Sequence, residues 1–149
     1  VASNSADGDS ALESLFGTTG IAALVTLKRD GRPQISNISY LYDPAKQVFS
    51  VSITETRAKT KNMRRDGRVS LHVNGSSGWN FAVAEGRAEL GATTVAPDDA
   101  AADDLVELYR AIGGKEHPDW DEYRAAMVAD QRLVLRVHVD RFYGAVQRS

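Results

Sequence analysis

Between positions 57 and 68 six basic residues, Arg57, Lys59, Lys61, Arg64, Arg65 and Arg68, stand against a single acid, Asp66. One third of the chain's 18 Lys and Arg therefore falls within twelve positions. Just before them, residues 47–53 read as a strand. Side chains alternate with period two, so Phe49, Val51 and Ile53 share one face and Val48, Ser50, Ser52 and Thr54 the other. The second face is small and hydroxylated. If the chain then enters a helix over residues 56–65, hydroxyls, cations and the unpaired N–H groups of a first helical turn converge, and that combination suits a phosphate-sized anion. Arg57 and Lys59 sit at the junction and are read as its ligands. Lys61, Arg64, Arg65 and Arg68 continue at helical spacing and are read as a solvated face.

Other residue types point to less. There is no cysteine, which removes disulfides, thiolate metal sites and cysteine nucleophiles. His72, His117 and His138 fall on different elements without ligand-like spacing, so no metal site is expected. No nucleophile with a partnered base and no Walker or dinucleotide glycine pattern occurs. Trp79 and Phe81 alternate onto one face of an expected strand after a Gly-rich loop and could stack on a flat ligand. Gly86, inside Glu85-Gly86-Arg87, marks a strand bend or a close backbone approach.

The elements that must position these residues follow from pattern. Leu12, Leu15 and Phe16 suit a short helix after an N-cap at Ser10, ending at Gly17. Residues 21–28 and 34–42 form a hairpin around Asp30-Gly31, and Asp43-Pro44 turns the chain into the strand over residues 47–53. Further strands are expected at residues 68–73 and 79–90, with a loop at 74–78 between them. Ala101, Leu105, Leu108 and Ile112 mark an amphipathic helix stopped at Gly113-Gly114, and another helix fits residues 120–129. Leu133, Leu135, Val137 and Val139 alternate along a sixth strand that continues through Phe142 and Tyr143. Six strands with turn-length links and no regular βαβ alternation give a mainly β, closed or nearly closed antiparallel barrel with peripheral helices, a sandwich being the alternative.

Length and charge agree with one such domain. The chain has 149 residues and a formal charge of -2. Residues 1–10 are small, polar and acidic and are expected to be a disordered tail, with a single domain over residues 11–149. The apolar runs are short of the ~20 residues that span a bilayer, and without a signal-like start the cytoplasm is the default compartment. Residues 96–130 carry ten acids against Arg110, Lys115 and Arg124, which would repel an extended polyanion and argues against nucleic acid.

The segment Thr56-Arg57-Ala58-Lys59-Thr60-Lys61-Asn62-Met63-Arg64-Arg65-Asp66 resembles the phosphate-binding segment of the pyridoxamine phosphate oxidase-like split-barrel flavoproteins. More narrowly, it is similar to that of their deazaflavin (coenzyme F420)-dependent reductases. Four further stretches agree in the same order: Asp30-Gly31-Arg32-Pro33-Gln34 with Ser36-Asn37, residues 79–88, Trp120-Asp121-Glu122-Tyr123-Arg124, and Asp140-Arg141-Phe142-Tyr143-Gly144. The resemblance implies a six-stranded antiparallel split β-barrel of FMN-binding type and a homodimer with two cofactors between protomers. By the same resemblance, Ser52, Arg57 and Lys59 hold the cofactor phosphate, Asn37, Ala58 and Asn62 line the ring and linker, and Trp79 with its neighbour Phe81 comes from the other protomer. The basic helix face would suit the polyglutamate tail of F420.

The implied reaction is hydride transfer from reduced deazaflavin to an electron-poor conjugated acceptor, such as an enone, lactone, quinone or tetrapyrrole. Tyr40, Tyr42, His72 and Tyr143 can carry the accompanying proton, but nothing in the sequence brings one within reach, and no catalytic acid is named. Two alternatives stand beside this reading: an FMN-dependent oxidase of the pyridoxamine phosphate type, and a protein that holds deazaflavin without a dedicated substrate.

Overall fold

In the computed structural model, which describes residues 6–147, six antiparallel strands close into a barrel of order β1-β2-β3-β6-β5-β4. They are β1 (Thr19–Leu27), β2 (Pro33–Asp43), β3 (Val48–Thr54), β4 (Arg68–Asn74), β5 (Phe81–Leu90) and β6 (Arg132–Ala145). Four helices lie around them: α1 (Ala6–Phe16), α2 (Ala58–Arg65), α3 (Ala100–Gly113) and α4 (Trp120–Ala129). The split-barrel expectation is met, and none of these helices is long and apolar enough to cross a membrane.

Alternation selects the inside. Phe49, Val51 and Ile53 are buried, whereas Val48, Ser50, Ser52 and Thr54 on the other face stay partly open. Gly31, at φ 86°, turns the first hairpin in the left-handed region that glycine tolerates. Gly86 marks a register shift between β5 and β6, and a Cβ there would overlap the carbonyl oxygen of His138, so its role is structural.

One seam of the barrel is short. β2 pairs with β3 only through Leu41↔Ser50, Tyr42↔Phe49 and Asp43↔Val48. Beyond that point β2 pairs with β1 alone, and β3 from Val51 to Thr54 pairs with β6 alone. A cleft opens where the two strands part.

Each barrel end is closed by a helix. α1 inserts Leu12 and Phe16 among Tyr40, Tyr42, Phe49 and Phe142, with the Phe16 and Phe49 rings 5.0 Å apart. α2 closes the other end with Met63 and with Asn62, whose amide donates to Thr26 Oγ1 at 3.1 Å and Gln34 Oε1 at 2.8 Å. α3 and α4 pack outside, against the outer face of β3 and β6 around Val134.

Three expectations need correction. The tail expected over residues 1–10 is helical from Ala6 onward, its first five residues lying outside the described ones, and Ser10 sits inside α1, where Ser14 Oγ donates to its carbonyl. Trp79 is not on a strand: Gly75 N–H donates to the Asn80 carbonyl and Asn80 N–H to Ser77, closing a turn that contains Trp79, so β5 begins at Phe81. The helix expected from residue 56 starts two residues later, because Thr54 and Arg57 close a turn first.

Candidate functional site

The parted seam, the start of α2 and the start of β6 meet in one place. Arg57 is the N-cap of α2, in extended geometry, and no side chain caps the helix. The other two outer helices differ. Asp99 accepts from Ala102 N–H at the start of α3, and Asp119 from Glu122 N–H at the start of α4. α2 has neither a capping carboxylate nor an acid in its first turn; Thr60 and Lys61 N–H donate to the Arg57 carbonyl, and the partial positive charge of the helix start is left without a compensating carboxylate.

Cations surround that terminus. Lys59, half-buried, reaches across the seam and donates from Nζ to Ser36 Oγ on β2 at 3.3 Å. Burial first, then the positive charges of Arg57 and Arg132, hold its ammonium below the usual lysine range. Arg132 sits opposite Thr54 in the β3–β6 ladder, and its Nη1 approaches the carbonyl and Oγ of Ser52 at 3.4 and 3.5 Å. Among the described residues, no carboxylate comes within 4.0 Å of Arg57 or Lys59. An anion entering here would lift the repulsion between three cations, complete a helix cap and find the Ser52 and Ser36 hydroxyls as further partners.

Three of the four remaining basic residues of the stretch are engaged elsewhere, while Lys61 stands exposed on α2. Arg64 pairs with Glu55 at 2.6 Å, Arg68 with Asp66 at 2.8 Å, and Arg65 donates to the Leu27 carbonyl. The two ion pairs reduce the basic face that would suit a polyglutamate tail, leaving the charges of Lys61 and Arg65 on it.

The other sequence candidates divide by location. Ala58 opens α2 beside the cleft and is exposed. Asn37 faces outward on the free part of β2, one residue from Ser36. Asn62 lies near the cleft but is buried, with both amide hydrogens held by Thr26 and Gln34 and its oxygen accepting from Arg65, so it braces the barrel end. Trp79 and Phe81 are at the opposite end, near α1: Phe81 pairs with Asn74 and Ala145, and Gly75 abuts Leu15. One chain does not bring them to Lys59. Of the proton carriers, Tyr40 and Tyr42 are core residues. Their hydroxyls donate to the Phe16 carbonyl and to Glu13, and burial pushes Tyr40 up to about 12 and Tyr42 higher still, so both are removed from consideration. His72 and Tyr143 face outward, and the ladder Asn37↔Ala23↔His72↔Val83↔Tyr143 sets them in one row across five strands with Asn37.

Arg132 is the site residue that sequence reasoning missed. It lies 80 positions from Ser52 and enters the cleft only through the pairing register of β3 with β6.

The model of the pyridoxamine 5'-phosphate oxidase family matches residues 9–145. Among solved structures, an F420 reductase is 22% identical, covering 87% of this chain and 94% of that one, with a TM-score of 0.61. A conserved hypothetical protein from Mycobacterium tuberculosis is 17% identical over 99% of this chain and 92% of its own, with a TM-score of 0.68. A heme binding protein from Mycobacterium smegmatis, 17% identical, aligns over 99% of this chain but only 57% of its own, with a TM-score of 0.61. At these identities the likenesses speak to the fold.

Proposed function

Since the chain belongs to the pyridoxamine 5'-phosphate oxidase family, we propose that it is an oxidoreductase that binds a phosphate-bearing flavin-type cofactor in the β2–β3 cleft, with coenzyme F420 as the preferred species. The carrying observation is the uncapped start of α2 ringed by Arg57, Lys59, Arg132 and Ser52, where charge and hydrogen-bond donors await an anion. The residues present fit a phosphate: Lys59 and Arg57 neutralise it, the first N–H groups of α2 donate to it, and Ser52 supplies a hydroxyl. When bound, reduced deazaflavin supplies a hydride to an electron-poor conjugated carbon, of enone, lactone, quinone or tetrapyrrole type.

Ala58 and Asn37 border the same cleft and are assigned to the ring and linker. Trp79 and Phe81 belong to the reading only through a second copy of the chain, since one copy keeps them at the far end of the barrel. A homodimer is therefore part of the proposal. It is supported by the exposure of Ile21 (72%), Ile35 (63%) and Trp79 (78%), apolar side chains that association could take from water. Light scattering at micromolar concentration should give twice the chain mass, and a monomer would remove the shared-groove arrangement.

FMN is the second reading. The pairing of Arg64 with Glu55 and of Arg68 with Asp66 takes two cations from the face that a polyanionic tail would use, and FMN carries no such tail. Equilibrium titration with oxidised and reduced F420 beside FMN separates the two. F420 should bind more tightly, with an affinity that falls as salt rises because exposed charges are screened beyond ~10 Å at 0.1 M. Stoichiometric FMN retained through purification, together with peroxide formation in air, would overturn the F420 assignment.

A further inference from the structure

A cavity of about 330 Å³ lies between α3, α4 and the outer face of β3 and β6. Its walls are mainly apolar, built from Leu105, Leu108, Ile112 and Met127 with two tyrosine rings, and Ser52 and Arg132 stand together at a polar end. Leu105 is fully buried and Leu108 nearly so, so the inner wall of the space is part of the packed apolar cluster beneath α3 and α4.

The guanidinium at the polar end is poorly satisfied within the chain. Among the described residues Arg132 Nε, though buried, has no hydrogen-bond partner, Asp130 stands 3.9 Å from it, and the bonds from Nη1 to Ser52 are long. Among the described residues, no carboxylate lines the cavity. A planar fork of donors with vacant capacity, beside a hydroxyl and at the mouth of an apolar space, matches a carboxylate joined to a hydrocarbon.

We infer that this cavity binds a small apolar monocarboxylic acid, its carboxylate on Arg132 and Ser52 and its hydrocarbon beneath α3 and α4. At the ~30 Å³ that a water-sized group occupies in a liquid, the space holds roughly eleven non-hydrogen atoms, which is the size of octanoate. The outer wall can adjust to its guest. α4 contributes no fully buried residue and is held to α3 by aromatic edges, Tyr109 to Tyr123 at 5.0 Å among them, and by Tyr123 Oη donating to the Leu105 carbonyl at 3.2 Å. This goes beyond the cofactor reading: the acid is a different ligand that needs no cofactor to bind, and its carboxylate would compete with the cofactor phosphate for Arg132 and Ser52.

Calorimetric titration of the cofactor-free full chain with butanoate, hexanoate, octanoate and octan-1-ol tests it. Affinity should rise about fourfold per methylene from butanoate to octanoate, as for hydrocarbon leaving water. Octan-1-ol, with the same chain and no charge, should bind at least tenfold more weakly than octanoate. Arg132→Gln should erase that preference, Ile112→Trp should fill the space and weaken octanoate at least tenfold, and Arg64→Gln should do neither. No dependence on chain length, equal binding of alcohol and acid, or unchanged octanoate binding in folded Ile112→Trp would each overturn the proposal. If Ile112→Trp does not fold, Met127→Phe serves as the smaller plug, and the comparison of alcohol with acid in the parent protein decides alone. Failure of F420 or FMN to bind would leave all these outcomes readable.

Discussion

The two ends of the barrel are both stopped by a helix, but with different materials. At the α1 end the stopper is aromatic and dry, with Phe16 against Phe49, Tyr40 and Phe142 and the tyrosine hydroxyls each engaged by a partner on α1. At the α2 end it is polar, a bridge from Asn62 to Thr26 and Gln34, bordered by Lys59 and an uncapped helix start. Stability is concentrated at the first end and unsatisfied charge at the second. A small barrel can thus leave one end electrostatically uncomfortable for a ligand to relieve, because the other holds the fold together.

Substitutions at each end should separate these roles. The largest effect is expected for Phe16→Ala, which removes a fully packed ring and should destabilise the fold by about 3 to 5 kcal/mol in chemical denaturation, while the folded fraction binds cofactor as the parent does. Loss of cofactor binding without loss of stability would break the division between the two ends.

Next comes Lys59→Ala. Removing a charge-assisted hydrogen bond should weaken cofactor binding by roughly 1.5 to 3 kcal/mol, or on the order of tenfold to a hundredfold by titration. Stability should stay within about 0.5 kcal/mol of the parent, since burial and two neighbouring cations already disfavour that ammonium in the free protein.

The α1 end should also have its own pH signature. Tyr40 ionises at about 12 when folded and near 10 when unfolded, so its contribution is intact below pH ~10 and is lost as pH rises toward about 12. Denaturation midpoints measured across that window should fall in the parent and fall less steeply in Tyr40→Phe. The smallest effect belongs to Arg64→Ala, whose exposed pair with Glu55 should matter by no more than about 1 kcal/mol and should leave cofactor affinity unchanged. If Arg64→Ala weakened binding while Lys59→Ala did not, the phosphate would lie at the wrong end of α2.

The sequence exposed the strands and their parity well, because alternation at Phe49, Val51 and Ile53 and the turn chemistry of Asp30-Gly31 are local signals. Parity also held the answer for Tyr40 and Tyr42, which share a face with buried Ile38 and so belong to the core. Two features were not local. Arg132 looks like any polar position of an alternating strand until the register with β3 sets it beside Ser52. Trp79 follows Gly78 and precedes a strand, and only the hydrogen bonds between Gly75, Ser77 and Asn80 show that the turn extends past it. Helix capping misled at α1, where Ser10 carries the right side chain but the helix had already begun.

The seam between β2 and β3 makes the barrel a bracelet with a three-link clasp. Backbone groups on either side of the parting lack a partner strand, so their amides should exchange hydrogen with solvent sooner than those of the ten-rung β5–β6 ladder. A ligand that bridges Ser36 and Lys59 on one side to Ser52 and Arg132 on the other would fasten the clasp from outside. Protection would then spread along β2 and β3, away from any atom the ligand touches.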